Sequence, residues 1–297
     1  MVRWRRLSLL KTKIPNRGGK RLVTGPVREK LSHRAGFTLT ELLIVVAIIA
    51  LLMSVLMPAV RRAQRQAKAV TCQVYLRQWA HVFALYTQDN NGFFVSGSST
   101  NPAMGDGNWW IEPLQVYYKD ETEDAKIRLC PIATIPRGVG RTTGRTEAKH
   151  RAWKNGKGYL GSYGPNGWIC NHPAGQANVW GRPTKDGQGK VLHWKTPLVK
   201  GTNNIPVFTG MWWVDAWPRH TDQPAPYEGW PGDTVNLNEM NRVCVNRHDG
   251  FVNGVFADSS GRRIGLKELW RLKWHRQFDT TAPPVQWPAW MRRFRDY

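Results

Sequence analysis

The chain has 297 residues, room for one large domain or two small ones, and 43 Lys+Arg against 21 Asp+Glu give it a formal charge of +22. Four cysteines without a Cys-x-x-Cys pair argue against a zinc ribbon or a thioredoxin-like site. His-Glu-x-x-His, Gly-x-Ser-x-Gly and the Walker phosphate loop are all absent, so an enzymatic role has no motif behind it and none is expected.

The first 36 residues hold eleven Lys/Arg and one acid, Glu29, and so contribute +10 of the +22, leaving +12 on the rest of the chain. From Leu42 to Met57 only Ser54 is not apolar. With its flanks the run reaches about 20 residues, the length that spans a bilayer as a helix. The basic flank holds to the cytoplasm and predicts an N-in, C-out, single-pass orientation. Glu41 stands at the mouth of this run, where a carboxylate is costly unless paired or solvated.

Helical spacing is predicted to continue to about residue 88, with Pro58 kinking the rod rather than ending it. Val60, Ala63, Ala67, Val70 and Val74 form a thin stripe. It gives way to Cys72, Tyr75, Leu76, Trp79, Phe83 and Tyr86, large residues suited to a core. Asp89-Asn90-Asn91-Gly92 is a stop.

The remaining stretch, about 200 residues, is long enough for a real core. Residues 96–108 read as a loop, 109–118 as a short helix, 127–131 as extended, and 137–158 as a basic, mobile loop. The acid pairs Asp120/Glu121 and Glu123/Asp124 look solvated. Strand candidates lie within 158–170 and at 205–215, the latter resembling a central strand. Residues 241–246 and 254–258 read as a hairpin-like pair around 247–253. Residues 266–278 return to helical spacing, and the Pro- and Trp-rich end, 280–297, reads as a surface strap. The predicted class is α+β: a long kinked N-terminal helix on a small antiparallel sheet head, closed by a short C-terminal helix.

Gly36-Phe37-Thr38-Leu39-x-Glu41 followed at once by the apolar run resembles the cleavage and N-methylation signal of type IV prepilins and type II secretion pseudopilins. The resemblance covers about 55 residues, from Arg34 to about residue 90. It implies cutting by a prepilin peptidase after Gly36 and methylation of Phe37. It also implies an assembly role for Glu41, paired to the amine of a neighbouring Phe37, with Pro58 as the helix-bending proline. The expected division is a removed leader, 1–36; a transmembrane half-helix, 37–60; an amphipathic half, 61–90; and an extracytoplasmic head, 91–297.

The expected function is that of a structural pilin-like or pseudopilin subunit of a type IV pilus or type II secretion-like filament, in the inner membrane and then the periplasm or cell surface. Its expected partners are other pilin-like subunits, the peptidase, an inner-membrane assembly platform and membrane lipid. The alternative is an anchored binding protein, a glycan adhesin or DNA-uptake pilin, whose basic head with many of the 16 Trp reads sugars or nucleic acid.

An extracytoplasmic head permits disulfides. Cys72, Cys130, Cys170 and Cys244 are candidates, and four cysteines allow three pairings. Cys170-x-His172 is a weak metal motif, and no metal site is expected. His248, nine residues, then Asp258 resembles the His-x9-Asp-Gly signature of one pilin-like group, with Ser259 in place of Gly. The expectation there is a clasp in which both residues bond strand ends; a ligand or metal site is the sharper reading. No cofactor is expected: some pseudopilins bind calcium near the C-terminus, but the acids here are too sparse for a full oxygen shell.

Overall fold

A computed structural model describes residues 37–96, 110–118, 126–133, 135–136, 150–154, 158–229, 238–282 and 286–297. The leader and Gly36, and most of the two loops expected at 96–108 and 137–158, lie outside the described residues. The chain divides into two compact units, Met1–Ser54 and Val55–Tyr297.

One helix, α1 (Leu39–Asp89), runs for 51 residues with Pro58 inside it, about 75 Å at 1.5 Å per residue. In the first unit every described residue is exposed, including Leu42, Leu43, Ile44 and Ile48. Within the second unit the helix buries Cys72, Leu76, Trp79, Ala80, Val82 and Phe83. That is the large-residue stripe of the sequence, whereas Val60, Val70 and Val74 stay exposed. Trp79 is the pivot, fully buried. Its ring centroid lies 4.7 Å from Phe208, 5.0 Å from Tyr118 and 5.6 Å from Trp110, and its Nε1 donates to the Ile127 carbonyl at 2.7 Å.

The main sheet joins β4 (Tyr163–Pro165), β7 (Pro206–Gly210), β8 (Phe251–Phe256) and β9 (Gly261–Gly265) in the order β4-β7-β8-β9, all antiparallel. Alternation along β8 buries the sheet on both faces. Val255 joins the apolar cluster built on α1, and Val252 and Phe256 join a second cluster with Trp168, Trp217, Trp270 and Trp274. Smaller pairings involve β1 (Ile135–Pro136), β2 (Arg151–Lys154) and β3 (Leu160–Gly161), with β1 parallel to β2, and β5 (Asn178–Val179) with β6 (Arg182–Pro183). The architecture is α+β, one long apolar helix on small sheets.

Five local expectations are corrected. Residues 241–246 do not form a strand: Met240–Val243 is a single helical turn, α2, and Asp222 Oδ2 accepts from the Met240 N–H at 2.9 Å in the place of an N-cap. The hairpin is instead β8 with β9, whose turn is closed by Ser260 N–H donating to Asp258 Oδ1 at 2.9 Å, with Ser259 at a φ of 63°. Residues 266–278 carry one 3-10 turn, Glu268–Arg271. Their apolar spacing serves packing, and backbone donors go to tertiary partners, Lys273 N to Asn204 O and Arg276 N to Leu192 O, both at 2.9 Å. Likewise 3-10 turns replace the helix at 109–118 (Gln115–Tyr117) and the extended piece at 127–131 (Lys126–Arg128), while β2 lies inside the loop expected at 137–158.

Close packing makes tight demands on several glycines, Gly167 among them. A Cβ on Gly167 would sit 2.1 Å from Cε2 of the buried Trp217 ring. Gly167→Ala should therefore cost about 1–3 kcal/mol through overpacking. The expected reading is a thermal midpoint several degrees lower for the chain in detergent; an unchanged midpoint would refute the close approach.

Candidate functional site

Two places in the chain concentrate chemistry. The first is the start of α1. Thr38 Oγ1 and Thr38 N–H both donate to Glu41 Oε2, at 2.8 and 2.9 Å, and the Glu41 N–H donates back to Thr38 Oγ1 at 3.2 Å. This is a reciprocal capping box, Thr-x-x-Glu, satisfying donors that a helix start leaves open. Oε2 takes both Thr38 bonds, and Glu41 is exposed. Phe37 is 71 % exposed, and the apolar side chains that follow have no cover in the described structure. Helix α1 is long and apolar enough to cross a membrane.

The second place lies in the other unit, where α1, the segment after the 3-10 turn at Lys126–Arg128, and the turn before β8 converge. They bring together Cys72, Cys130 and His248, all buried, with their ligand atoms within 4.8 Å of one another. Cys130 Sγ lies 3.5 Å from His248 Nε2, and Tyr163 Oη donates to Cys72 Sγ at 3.1 Å. The Cys130 N–H is fixed by Ser162 Oγ at 2.6 Å. Beside them Arg247, 4 % exposed, donates to the carbonyls of Ser162 (2.5 Å), Met211 (2.7 Å) and Arg151 (2.9 Å). The hydrogen bond from Cys72 holds the Cys130 thiol well below its ordinary range, helped by His248 and by the charge of Arg247; burial pushes Cys72 the other way.

Of the other sites expected from sequence, Asp258 does not meet His248. They lie at opposite ends of β8, Asp258 closing the hairpin turn and His248 turned toward Cys130. Cys170 and Cys244 belong to the second apolar cluster, and all four cysteines carry free thiols. Burial pushes the Cys170 thiol up to about 12, and the Cys244 thiol upward as well. No residue spacing announces the Cys72–Cys130–His248 convergence. The capping box, by contrast, has a local signal that the motif reading of Glu41 passed over: Thr38-x-x-Glu41 ahead of an apolar run.

The second unit also buries a polar seam that no motif marks. Glu239 is paired with Arg182 and, at 2.7 Å, with Arg242, which also reaches Asp215 at 3.1 Å. Burial pushes Asp222 up to about 6, against the pull of the Arg219 and Met240 N–H groups and of the Arg219 and Arg242 charges. His193 packs at 4.6 Å from His172 and at 5.4 Å from Trp168; burial and the His172 charge bring it down to about 3. His275 is likewise brought down to about 3 by burial and by the charges of His220 and Lys273.

Residues 31–57 match the family described as "Prokaryotic N-terminal methylation motif". The type IV wide pilus major component PilA4 of Thermus thermophilus is 43 % identical over 63 residues, which is 21 % of this chain and 48 % of that protein. The chain thus spans about half the length of the curated relative it matches. No solved structure matches it. Over its N-terminal stretch the chain is thus similar to type IV pilins, in its methylation motif and in the relative it matches.

Proposed function

We propose that this chain is a structural, non-enzymatic filament subunit, a pilin of a type IV pilus or a pseudopilin of a type II secretion-like filament. It is cut by a prepilin peptidase after Gly36 and methylated on Phe37. The observation that carries this reading is the coincidence of the methylation motif, 31–57, with the start of a helix whose apolar side chains from Leu42 to Met57 are all uncovered in the single chain. Such a surface needs either lipid or other helices against it. In this reading residues 1–36 are a cytoplasmic leader and 37–60 span the inner membrane. Residues 61–90 continue the helix into an extracytoplasmic head, 91–297. An assembly platform draws subunits from lipid into a filament, where α1 packs against its copies and the exposed stripe of Val60, Val70 and Val74 is covered.

In this reading cutting at Gly36 makes a cationic amine at Phe37, and the Glu41 carboxylate of a neighbour pairs with it. Glu41→Gln is the discriminating substitution, because Gln at this position still completes a capping box while removing the charge. Membrane insertion should be unchanged and filament yield should fall to background; filaments at the parent level would refute the pairing. In parallel, Gly36→Trp should leave the uncut precursor, and N-terminal sequencing that still begins at Phe37 would overturn the cleavage assignment.

A nucleic-acid or glycan reader has less to draw on than the composition suggests. Trp79, Trp153, Trp168, Trp212, Trp217, Trp270 and Trp274 are all buried, so they cannot stack on a ligand.

A further inference from the structure

We infer that Cys72, Cys130 and His248 form a binding site for one thiophilic d10 metal ion of the zinc class, buried where α1 meets the head's own segments. Two thiolates and one imidazole are the donor set such ions select, and calcium and magnesium reject it. The geometry agrees. Zn–S bonds of about 2.3 Å and Zn–N bonds of about 2.0–2.1 Å in a tetrahedron put neighbouring donor atoms about 3.5–3.8 Å apart. Cys130 Sγ and His248 Nε2 are already 3.5 Å apart, and all three donor atoms lie within 4.8 Å. Closing the remaining distances needs side-chain shifts only.

The surroundings fix the donors in place. The Cys130 backbone is held by Ser162, and the Cys72 sulfur accepts from Tyr163. These are the outer-shell contacts that orient ligands and tune a site. His248 is set by a turn with Asp249 at a φ of 51° and Gly250 at 91°, where the Gly250 N–H donates to Asn246 Oδ1 at 2.6 Å.

Binding is not a redox step. The ion enters, both thiols release their protons to solvent, two metal–sulfur bonds and one metal–nitrogen bond form, and the fourth position is left to water or Tyr163 Oη. Because the three donors come from places 58 and 118 residues apart, counted from Cys72 to Cys130 and from Cys130 to His248, the ion would tie α1 into the head. Calcium, the ion the family resemblance admits, would find no matching donors here.

Full-length chain in detergent, kept reduced, should take up about one Co2+ with a thiolate-to-cobalt charge-transfer band that Zn2+ displaces. Zn2+ should also raise the thermal midpoint by several degrees. Cys72→Ser and Cys130→Ser should each abolish the band, and His248→Ala should weaken uptake at least tenfold. Cys170→Ser and Cys244→Ser should bind as the parent does. Because uptake by the parent chain is read first, a variant that fails to fold does not rescue the idea. It is overturned by absence of the band in the reduced parent, by its survival in Cys130→Ser, or by its loss on Cys170→Ser or Cys244→Ser. Recovery of Cys72 and Cys130 as a disulfide that takes up no ion after reduction overturns it too.

Discussion

Arg247→Ala should unfold the head, or bring it close to unfolding. The guanidinium is buried and ties three carbonyls from separate places: Ser162 between β3 and β4, Arg151 in β2, and Met211 just after β7. With Ala each of the three carbonyls loses its charged donor, although Ser162 O keeps the Met211 N–H at 2.9 Å, and a hydrogen bond to a charged group contributes about 1.5–3 kcal/mol. The expected loss is above about 4 kcal/mol, against a total stability of about 5–15 kcal/mol for an ordinary domain. Arg247→Lys should recover only part of it, because an ammonium on a flexible stem lacks the planar fork that addresses carbonyls in three directions. Urea unfolding followed by tryptophan fluorescence should show the alanine variant's midpoint lower by more than about 1 M. A midpoint within error of the parent would show that the three bonds do not hold these segments together.

Arg247 also shows where sequence reasoning stops. Its partners are backbone carbonyls, which any residue supplies, so nothing in the chain advertises them. The long helix was legible because an apolar run and a helical stripe are local: the expected core face, Cys72, Leu76, Trp79 and Phe83, is the face that is buried. The central strand was legible too, since Pro206–Gly210 lies between β4 and β8. The segment at 241–246 misled because Val243, Cys244 and Val245 have strand propensity, yet a carboxylate far away in sequence, Asp222, supplies the cap of a helical turn. The spacing of His248 and Asp258, expected as a clasp on strand ends, gives no hint of the cysteines beside His248. Their nine-residue spacing is a real feature of the chain, but a strand and its turn separate the two side chains, and His248 finds a cysteine 118 residues earlier. Of the tryptophans, number alone could not separate core from surface. Most of those buried donate their Nε1 to backbone carbonyls, as Trp168 does to Pro218 at 2.9 Å and Trp270 to Asp222 at 2.7 Å, whereas Trp217 donates to Asp215 Oδ2 at 3.0 Å.

The polar seam predicts that the head loses stability in acid, here counted for His193, His275 and Asp222. His193 and His275 are neutral in the fold down to about pH 3, whereas unfolded histidine takes its proton near 6.5. Their contribution is complete above pH 6.5 and is lost as pH falls toward 3. The groups facing them, His172 and Lys195 around His193 and His220, Lys273 and Arg219 around His275, are cations or become so in acid, and push the same way. Asp222 opposes them: its carboxyl holds a proton in the fold up to about 6 but only to about 3.8 when unfolded, so it adds stability as pH falls through that window. Between about pH 6 and pH 4 the unfolded chain therefore binds two protons that the fold lacks, and the fold binds one that the unfolded chain lacks. The net uptake of one proton on unfolding makes stability fall by about 1.4 kcal/mol per pH unit, or about 3 kcal/mol across the window. Asp222→Asn keeps an acceptor for the Arg219 and Met240 N–H groups but removes the opposing proton, so its slope should double to about 2.7 kcal/mol per unit. Urea midpoints taken at half-unit steps of pH measure both slopes. A parent slope near zero, or a variant slope equal to the parent's, would mean that these three groups do not govern the acid response.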